Sequence, residues 1–181
     1  MGRRKSFVPA EILDRAMQAF WRRGYEATSV DDLVAATGIN RASLYGTFGD
    51  KASLFRACLD RYAEAIVTPW LAALTQGEPD AVPRFLKALA AYAASDPKRQ
   101  GCLMVNAAVE TTTHDPEALA AIRSHFARLE GAFAAALDAG APAPSRGEAR
   151  LALCLAVGLL ALGKIGVERG VLEDAVRAGF G

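Results

Sequence analysis

Between Pro9 and Arg23 the apolar residues Ile12, Leu13, Ala16, Met17 and Phe20 recur at three- and four-residue intervals. Glu11, Asp14, Arg15, Arg22 and Arg23 fill the other faces, so the pattern predicts an amphipathic helix. Pro9 suits its first turn, Gly24 stops it, and Tyr25 offers a large apolar body to pack beneath the next helix. Ser29 then precedes Val30, Asp31 and Asp32, close to a capping-box arrangement for a second helix that buries Val30, Leu33 and Val34 and runs to about Thr37. Gly38 suits a sharp reversal, because glycine enters the left-handed region without steric penalty. Asn40 is placed to cap a short third helix, Arg41 to about Thr47, with Leu44 and Phe48 inward and Ile39 as a staple before the cap.

Asp50 can cap a fourth helix with Phe55, Leu59, Tyr62, Ala63 and Ile66 on its apolar side, and Pro69 and Trp70 mark a kink or an end. Further helical periodicity covers roughly residues 79 to 95, 101 to 112, 116 to 138 and 146 to 169. Pro97, Pro116 and the Ala-Pro-Ala-Pro stretch at 141 to 144 separate these segments, and Ser145 with Glu148 suggests a second capping box. No alternating strand pattern of convincing length occurs, so the expected fold class is all-α. The segment Leu151 to Ile165 is apolar nearly all round and demands burial on more than one side, while the helix over 116 to 138 is rich in alanine with Gly131 within it.

Composition narrows the class. The 181 residues are 52% hydrophobic and 23% charged, enough for a real core and unlike a disordered chain. The longest nearly uninterrupted apolar run, Leu151 to Gly163, falls well short of the roughly 20 residues of a membrane span. The basic N-terminus is followed by acids and arginines rather than a signal-peptide core, so a cytoplasmic location without membrane association is expected. Cys58, Cys102 and Cys154 are widely spaced and suggest reduced thiols rather than a disulfide framework. Charge is uneven: residues 1 to 23 carry six bases and two acids, for +4, whereas residues 62 to 181 carry eleven bases and thirteen acids, for −2. That suits a chain with one end on a polyanion.

The outward face of the third helix, Arg41, Ala42, Ser43, Tyr45 and Thr47, holds donors and small side chains without an acid, as a helix laid against phosphates and base edges requires. Two short helices joined by a glycine turn also occur in plain helical hairpins, so this geometry alone leaves both options open. A resemblance adds to it. Phe20, Gly24, Tyr25, Thr28, Ser29, Val30, Leu33, Val34, Gly38, Leu44, Tyr45, Phe48, Lys51, Leu54 and Phe55 resemble the signature of the TetR/AcrR family across residues 7 to 57.

The resemblance implies a DNA-binding domain over residues 6–66, with the helix-turn-helix at about 29–48, and a ligand-binding and dimerisation domain over 67–181. It implies a homodimer that holds a palindromic double-stranded DNA operator and is released by a small-molecule effector. Thr28 and Ser29 are then expected at phosphates, Arg41 to Thr47 in the major groove, and Tyr45 and Lys51 on the DNA backbone, with Asn40 at the edge of the same surface. Arg3, Arg4 and Lys5 read as a flexible arm reaching a groove or phosphates, the alternative being an ordinary solubilising start. One departure is Gly46, where the family often has histidine or another larger residue. It either permits close approach to DNA or shortens the reading surface. The 116–138 and 146–169 helices resemble the pair that forms a four-helix dimer interface in the family.

The string Gly101 to Asn106, with Glu110 beyond it, resembles a subset of the family in which a cysteine at this point senses electrophiles or oxidants. Cys102 is expected near a helix N-terminus, with Lys98, Arg99 and Lys164 as cationic neighbours favouring thiolate, whereas Cys58 and Cys154 are expected in the core. An effector pocket bounded by Tyr62, Trp70, Phe85, Tyr92, Met104 and Phe126 is the broader expectation, with plain packing as its alternative. No catalytic residue, metal site or cofactor is expected. His114 and His125 belong to no cluster at metal spacing, and no GxSxG, Walker or GxGxxG string exists. A Cys102 nucleophile with a distant histidine, or a dimeric ligand carrier or thiol redox sensor that binds no DNA, are the competing readings.

Overall fold

The first helix, α1 (Pro9–Arg23), begins on Pro9 and ends where Gly24 turns to φ 83°. The computed structural model describes residues 7–74, 80–110, 115–138 and 146–181. The arm Arg3, Arg4 and Lys5, the stretch 141 to 144 with Ser145, and His114 lie outside the described residues, as does the far end of the helix expected over 101 to 112.

Local capping explains the next three helices. In α2 (Val30–Thr37) the Ser29 hydroxyl accepts the Asp32 N–H at 3.1 Å while the Asp32 carboxylate accepts the Ser29 N–H at 3.0 Å, a reciprocal box. Gly38 closes α2 in the left-handed region at φ 73°. Asn40 Oδ1 accepts from the Ser43 N–H at 2.8 Å to start α3 (Arg41–Phe48), and Asp50 does the same from Ser53 at 2.7 Å for α4 (Lys51–Tyr62).

The fourth helix does not end at Pro69. A π-helical turn over Ala63–Val67 carries it into α5 (Thr68–Leu74) without a break. The Thr68 N–H and hydroxyl both reach back five residues to the Ala63 carbonyl, the hydroxyl at 2.9 Å. This widened turn immediately precedes Pro69, which has no N–H to offer the helix. The domain boundary expected at 66/67 therefore falls inside a continuous helix.

The remaining helices are α6 (Ala81–Ser95), α7 (Leu103–Glu110), α8 (Pro116–Asp138), α9 (Arg146–Lys164) and α10 (Arg169–Phe180), with no strand among the described residues. The helix expected over 146–169 stops at Lys164 because Gly166 turns to φ 81°, and α10 is a separate element whose Leu172 and Val176 are buried. The reading head, α1 to α4, is filled by Ile12, Ala16, Phe20, Leu33, Leu44, Leu54, Phe55 and Leu59. The same core continues through Tyr62 into Leu103, Met104, Ala118 and Ile122 of the body. A second core, centred on Leu74, Leu86, Ala93, Phe133, Ala156 and Leu159, joins α5, α6, α8, α9 and α10. No helix among the described residues is long and apolar enough to cross a membrane.

Helices α6 and α9 approach closely at Gly163, where a Cβ would lie 2.6 Å from the Ala93 Cβ and 2.7 Å from its carbonyl oxygen. Gly163→Ala is expected to lower stability by up to about 2 kcal/mol. Overpacking costs about 1–3 kcal/mol, against the roughly 1 kcal/mol that alanine gains in helix propensity. Urea unfolding midpoints of the two proteins check this.

Candidate nucleic-acid interface and apolar cavity

The head carries the expected surface, with revisions. On α3, Arg41 and Ala42 are exposed and Ser43, Tyr45 and Thr47 half-buried, while Leu44 is fully buried and anchors the helix to the head core. The Arg41 guanidinium lies 5.6 Å from the Tyr45 ring centre. The Thr47 hydroxyl donates to the Ser43 carbonyl at 2.8 Å. Asn40 and Ser29 are exposed, but the Asn40 oxygen and the Ser29 hydroxyl are engaged as helix caps. Lys51 starts α4 with its ammonium 4.4 Å from the Tyr25 ring centre, stacked on the aromatic group Phe20, Tyr25 and Phe55.

Thr28 is the correction. Its relative exposure is 0%, and its hydroxyl donates to the Gly24 carbonyl at 2.5 Å, so its side chain braces the α1–α2 turn and cannot reach a phosphate. Gly46 is exposed and a Cβ there would meet nothing within 4 Å, so nothing within the described residues requires a glycine at this position. Close approach by an external body is the option this leaves room for.

In the body, Tyr62, Trp70, Phe85, Tyr92, Phe126 and Cys102 converge on one cavity of about 70 Å³. Trp70 meets Phe85 and Tyr92 edge-on, with ring centres 5.8 and 5.5 Å apart. Met104, expected in this wall, packs instead in the core shared by head and body. His125, which sequence reasoning passed over, is in the wall together with Ile66 and Val67 of the π turn. It sits one residue before the expected Phe126 but shows no pattern of its own.

The thiols also differ from expectation. Cys102 directly precedes α7, and the Tyr62 hydroxyl and the Met104 and Val105 N–H groups favour its thiolate, yet burial outweighs them and pushes the thiol pKa above its ordinary value. Burial and the neighbouring Cys102 likewise hold the Tyr62 phenol well above its usual range. Lys164 does not serve Cys102. Its ammonium donates to Asn106 Oδ1 at 2.9 Å, and Asn106 Nδ2 in turn donates to the Gln100 carbonyl at 2.9 Å. Cys58 is buried as expected, whereas Cys154 is exposed on α9.

Glu110, at the far end of α7, bridges body and head. Its carboxylate accepts the Tyr25 N–H at 2.8 Å and the Glu26 N–H at 3.1 Å, and a Cβ on Gly24 would lie 2.5 Å from it. One eight-residue helix thus runs from the cavity wall at Cys102 to the α1–α2 turn of the reading head. Among the described residues no group of three His, Cys, Asp or Glu is placed to hold a metal ion.

Comparison with known proteins agrees with this arrangement. Residues 12–58 match the family described as bacterial regulatory proteins, tetR family. Residues 79–176 match the C-terminal domain of LmrA/YxaF-like transcriptional regulators. The HTH-type transcriptional regulator YezE of Bacillus subtilis (strain 168) is 36% identical over 137 residues, 74% of this chain and 70% of that protein. The repressor ComR of Escherichia coli (strain K12) is 40% identical over 119 residues, covering 64% of this chain but only 55% of ComR. Among solved structures, a cysteine mutant of the TetR-family regulator CifR complexed with 26-base-pair operator DNA superposes with a TM-score of 0.83 at 29% identity, covering 98% of this chain and 97% of that one.

The geometry generates two expected outcomes. His125, at 4% exposure, is held at a pKa of about 4 rather than 6.5 by burial and by the charge of Arg128. Its folded value lies below its unfolded one, so its stabilising contribution is complete above pH 6.5 and is lost as pH falls toward 4. The loss is expected to reach up to about 3 kcal/mol. Denaturation profiles over that range should show the protein losing that much stability relative to His125→Gln, which does not titrate there. Separately, Glu110→Ala removes the acceptor of two amides, and hydrogen exchange at Tyr25 and Glu26 is expected to quicken by about tenfold, the effect of roughly 1.4 kcal/mol.

Proposed function

The chain belongs to the TetR family of bacterial regulatory proteins, and we propose that it is a dimeric repressor that grips a palindromic operator with α3 and releases it when an apolar effector enters the cavity. A member of this family is a transcriptional regulator and not an enzyme, which removes the nucleophilic-cysteine alternative. The observation that carries the DNA half is the exposed, acid-free face of α3, with Arg41 and Ala42 fully presented and Gly46 open to close approach. Tyr45, Lys51 and Ser29 flank it at positions suited to the DNA backbone, and chromosomal DNA as the target implies a cytoplasmic site of action. CifR, solved on its operator, matches nearly the whole chain, which argues against a carrier that has lost DNA binding.

A second copy of the chain is needed to read a twofold site, whose halves repeat about 34 to 36 Å apart. The faces suited to it are on α8 and α9. Ala120, Ser124, Ala127, Gly131 and Ala135 form an outward stripe of small residues on α8. Leu151, Cys154 and Leu162 are exposed on α9 and Ile165 just past its end, with the half-buried Gly158 in line with them. Gly131 and Gly158 have no atom within 4 Å of a notional Cβ, so another helix can come close to both.

The effector half rests on the cavity. Its wall is aromatic and aliphatic, with Cys102, Tyr62, Tyr92, Trp70 and His125 carrying its polar atoms. At about 70 Å³ it is far below the roughly 300–1,000 Å³ of ordinary ligand sites, so an effector has to spread α4, α6 and α8 apart to fit. A buried thiol whose pKa is raised favours this noncovalent mode over thiolate chemistry at Cys102.

The test is binding to duplex fragments selected from the source genome, read by anisotropy. The protein is expected to bind as a dimer, with affinity falling steeply as salt rises. Arg41→Ala should weaken binding to the selected fragment by about 10- to 100-fold, the roughly 1–3 kcal/mol of one good base contact, without lowering the melting temperature. Failure to bind any duplex at low salt, or a purely monomeric protein, overturns the proposal.

A further inference from the structure

Between the reading head and the body lies a cleft of about 320 Å³ that no part of the DNA-binding or effector reading uses. Helix α1 contributes Trp21 and Arg22, the turn before α7 contributes Lys98, Arg99 and Gln100, and α9 ends in it with Lys164. Four cations therefore face one space, and among the described residues no carboxylate lines it. Two carboxylates close to it in sequence are bound to backbone amides, Asp96 beneath the 98–100 turn itself. Asp96 accepts the Lys98 and Gln100 N–H groups at 2.9 and 2.6 Å, and Glu110 accepts those of Tyr25 and Glu26. Lys164 donates to the neutral amide of Asn106, and Arg22 to the Gln18 carbonyl at 3.1 Å, so neither bond neutralises its cation.

An independent observation points the same way. The indole of Trp21 is only 8% exposed, and its Nε1–H has no hydrogen-bond partner. Gln100 Nε2 is likewise buried and unpartnered, and among the described side chains these are the two such atoms. A buried donor without an acceptor costs about 1–3 kcal/mol, so two in the wall of one cleft call for a shared acceptor. Like charges held together raise the same demand. The Arg99 backbone is in the left-handed region at φ 49°, and its guanidinium is packed where a Cβ on Gly166 would lie 2.7 Å from it. The Arg99 side chain is exposed, with its guanidinium lying against the Gly166 backbone at the rim of the cleft.

We propose that this cleft is a binding site for a small, multiply charged oxyanion whose oxygens pair with Arg22, Lys98, Arg99 and Lys164 and accept from Trp21 and Gln100. Such an anion touches α1 of the head and the 98–100 turn and α9 of the body at once, so it clamps the two parts in one relative position. Trp21 also meets Tyr62 of the effector cavity edge-on, with ring centres 5.0 Å apart, so the two sites share an aromatic wall.

The experiment uses Trp70→Phe protein, which leaves Trp21 as the single indole, and titrates it with inorganic pyrophosphate or citrate at constant ionic strength set by chloride. A saturable change in Trp21 emission with either probe, repeated as a saturable heat in calorimetry on the unmodified protein, supports the site. The tighter of the two probes distinguishes a phosphate from a polycarboxylate. The exposed pair Arg22→Gln with Lys98→Gln, combined in one variant, should weaken binding at least tenfold while leaving the melting temperature in place. Absence of saturation with both probes, or equal affinity in the double variant, overturns the proposal. Neither readout involves DNA, so its failure is separable from that of the repressor reading.

Discussion

Continuous burial along one helix holds this molecule together. From Lys51 to Leu74 the chain never leaves helical form, and its Leu54, Phe55, Cys58, Leu59 and Tyr62 fill the head core while Leu74 enters the body core. Each fully buried Leu or Phe side chain is worth about 1.5–3 kcal/mol. The head therefore cannot detach from α4 without exposing several such groups at once, and a displacement of α4 in the body must be felt at α3. The π turn at Ala63–Val67 is the one place among the described residues where this helix widens, and its Ile66 and Val67 form part of the cavity wall. Wide turns of this kind often mark functional sites.

A second connection runs beside the first. Cys102 stands at one end of α7 in the cavity wall, and Glu110 at the other end holds two N–H groups of the head. Those amides open the turn that Thr28 braces from within. A ligand that moves α7 by even an ångström forces Glu110 either to drag this turn or to abandon two hydrogen bonds. Neither connection needs a long-range mechanism, since each is a rigid helix with one end at the cavity and the other at the reading head.

What the sequence made legible was local. The caps at Ser29, Asn40 and Asp50 and the reversal at Gly38 depend on a few neighbouring residues, and they occur where the pattern puts them. The cavity aromatics were legible in part, because large apolar residues at helical spacing must meet somewhere inside the body. Contacts between distant segments were not. Glu110 reaches Tyr25 across 85 positions, and no periodicity encodes that. Thr28 was expected at a phosphate on the resemblance, and a hydroxyl carries no sign of whether it turns outward or back onto its own chain. Cys154 looked buried because α9 is apolar all round, and the side left bare in one subunit is invisible to a pattern that reports only hydrophobicity. Helix α10 was missed where a long apolar helix was extended past Gly166, although Leu172 and Val176 keep the helical interval.

If the proposed effector enters this cavity, its size sets the energetics of switching. The observed form is compact, so an effector binds it only by separating packed side chains, and that work is subtracted from its affinity. An effector changes DNA affinity only through a difference in its own affinity for the two forms, and an entrant that must enlarge the cavity has that difference built in. The compact form fixes α4 and Glu110 in their observed places. Expansion on the side of Tyr62, Ile66 and Val67 displaces the first connection, and on the side of Cys102 and Val105 the second. On the proposed reading, filling this small apolar cavity and moving the reading heads are one event.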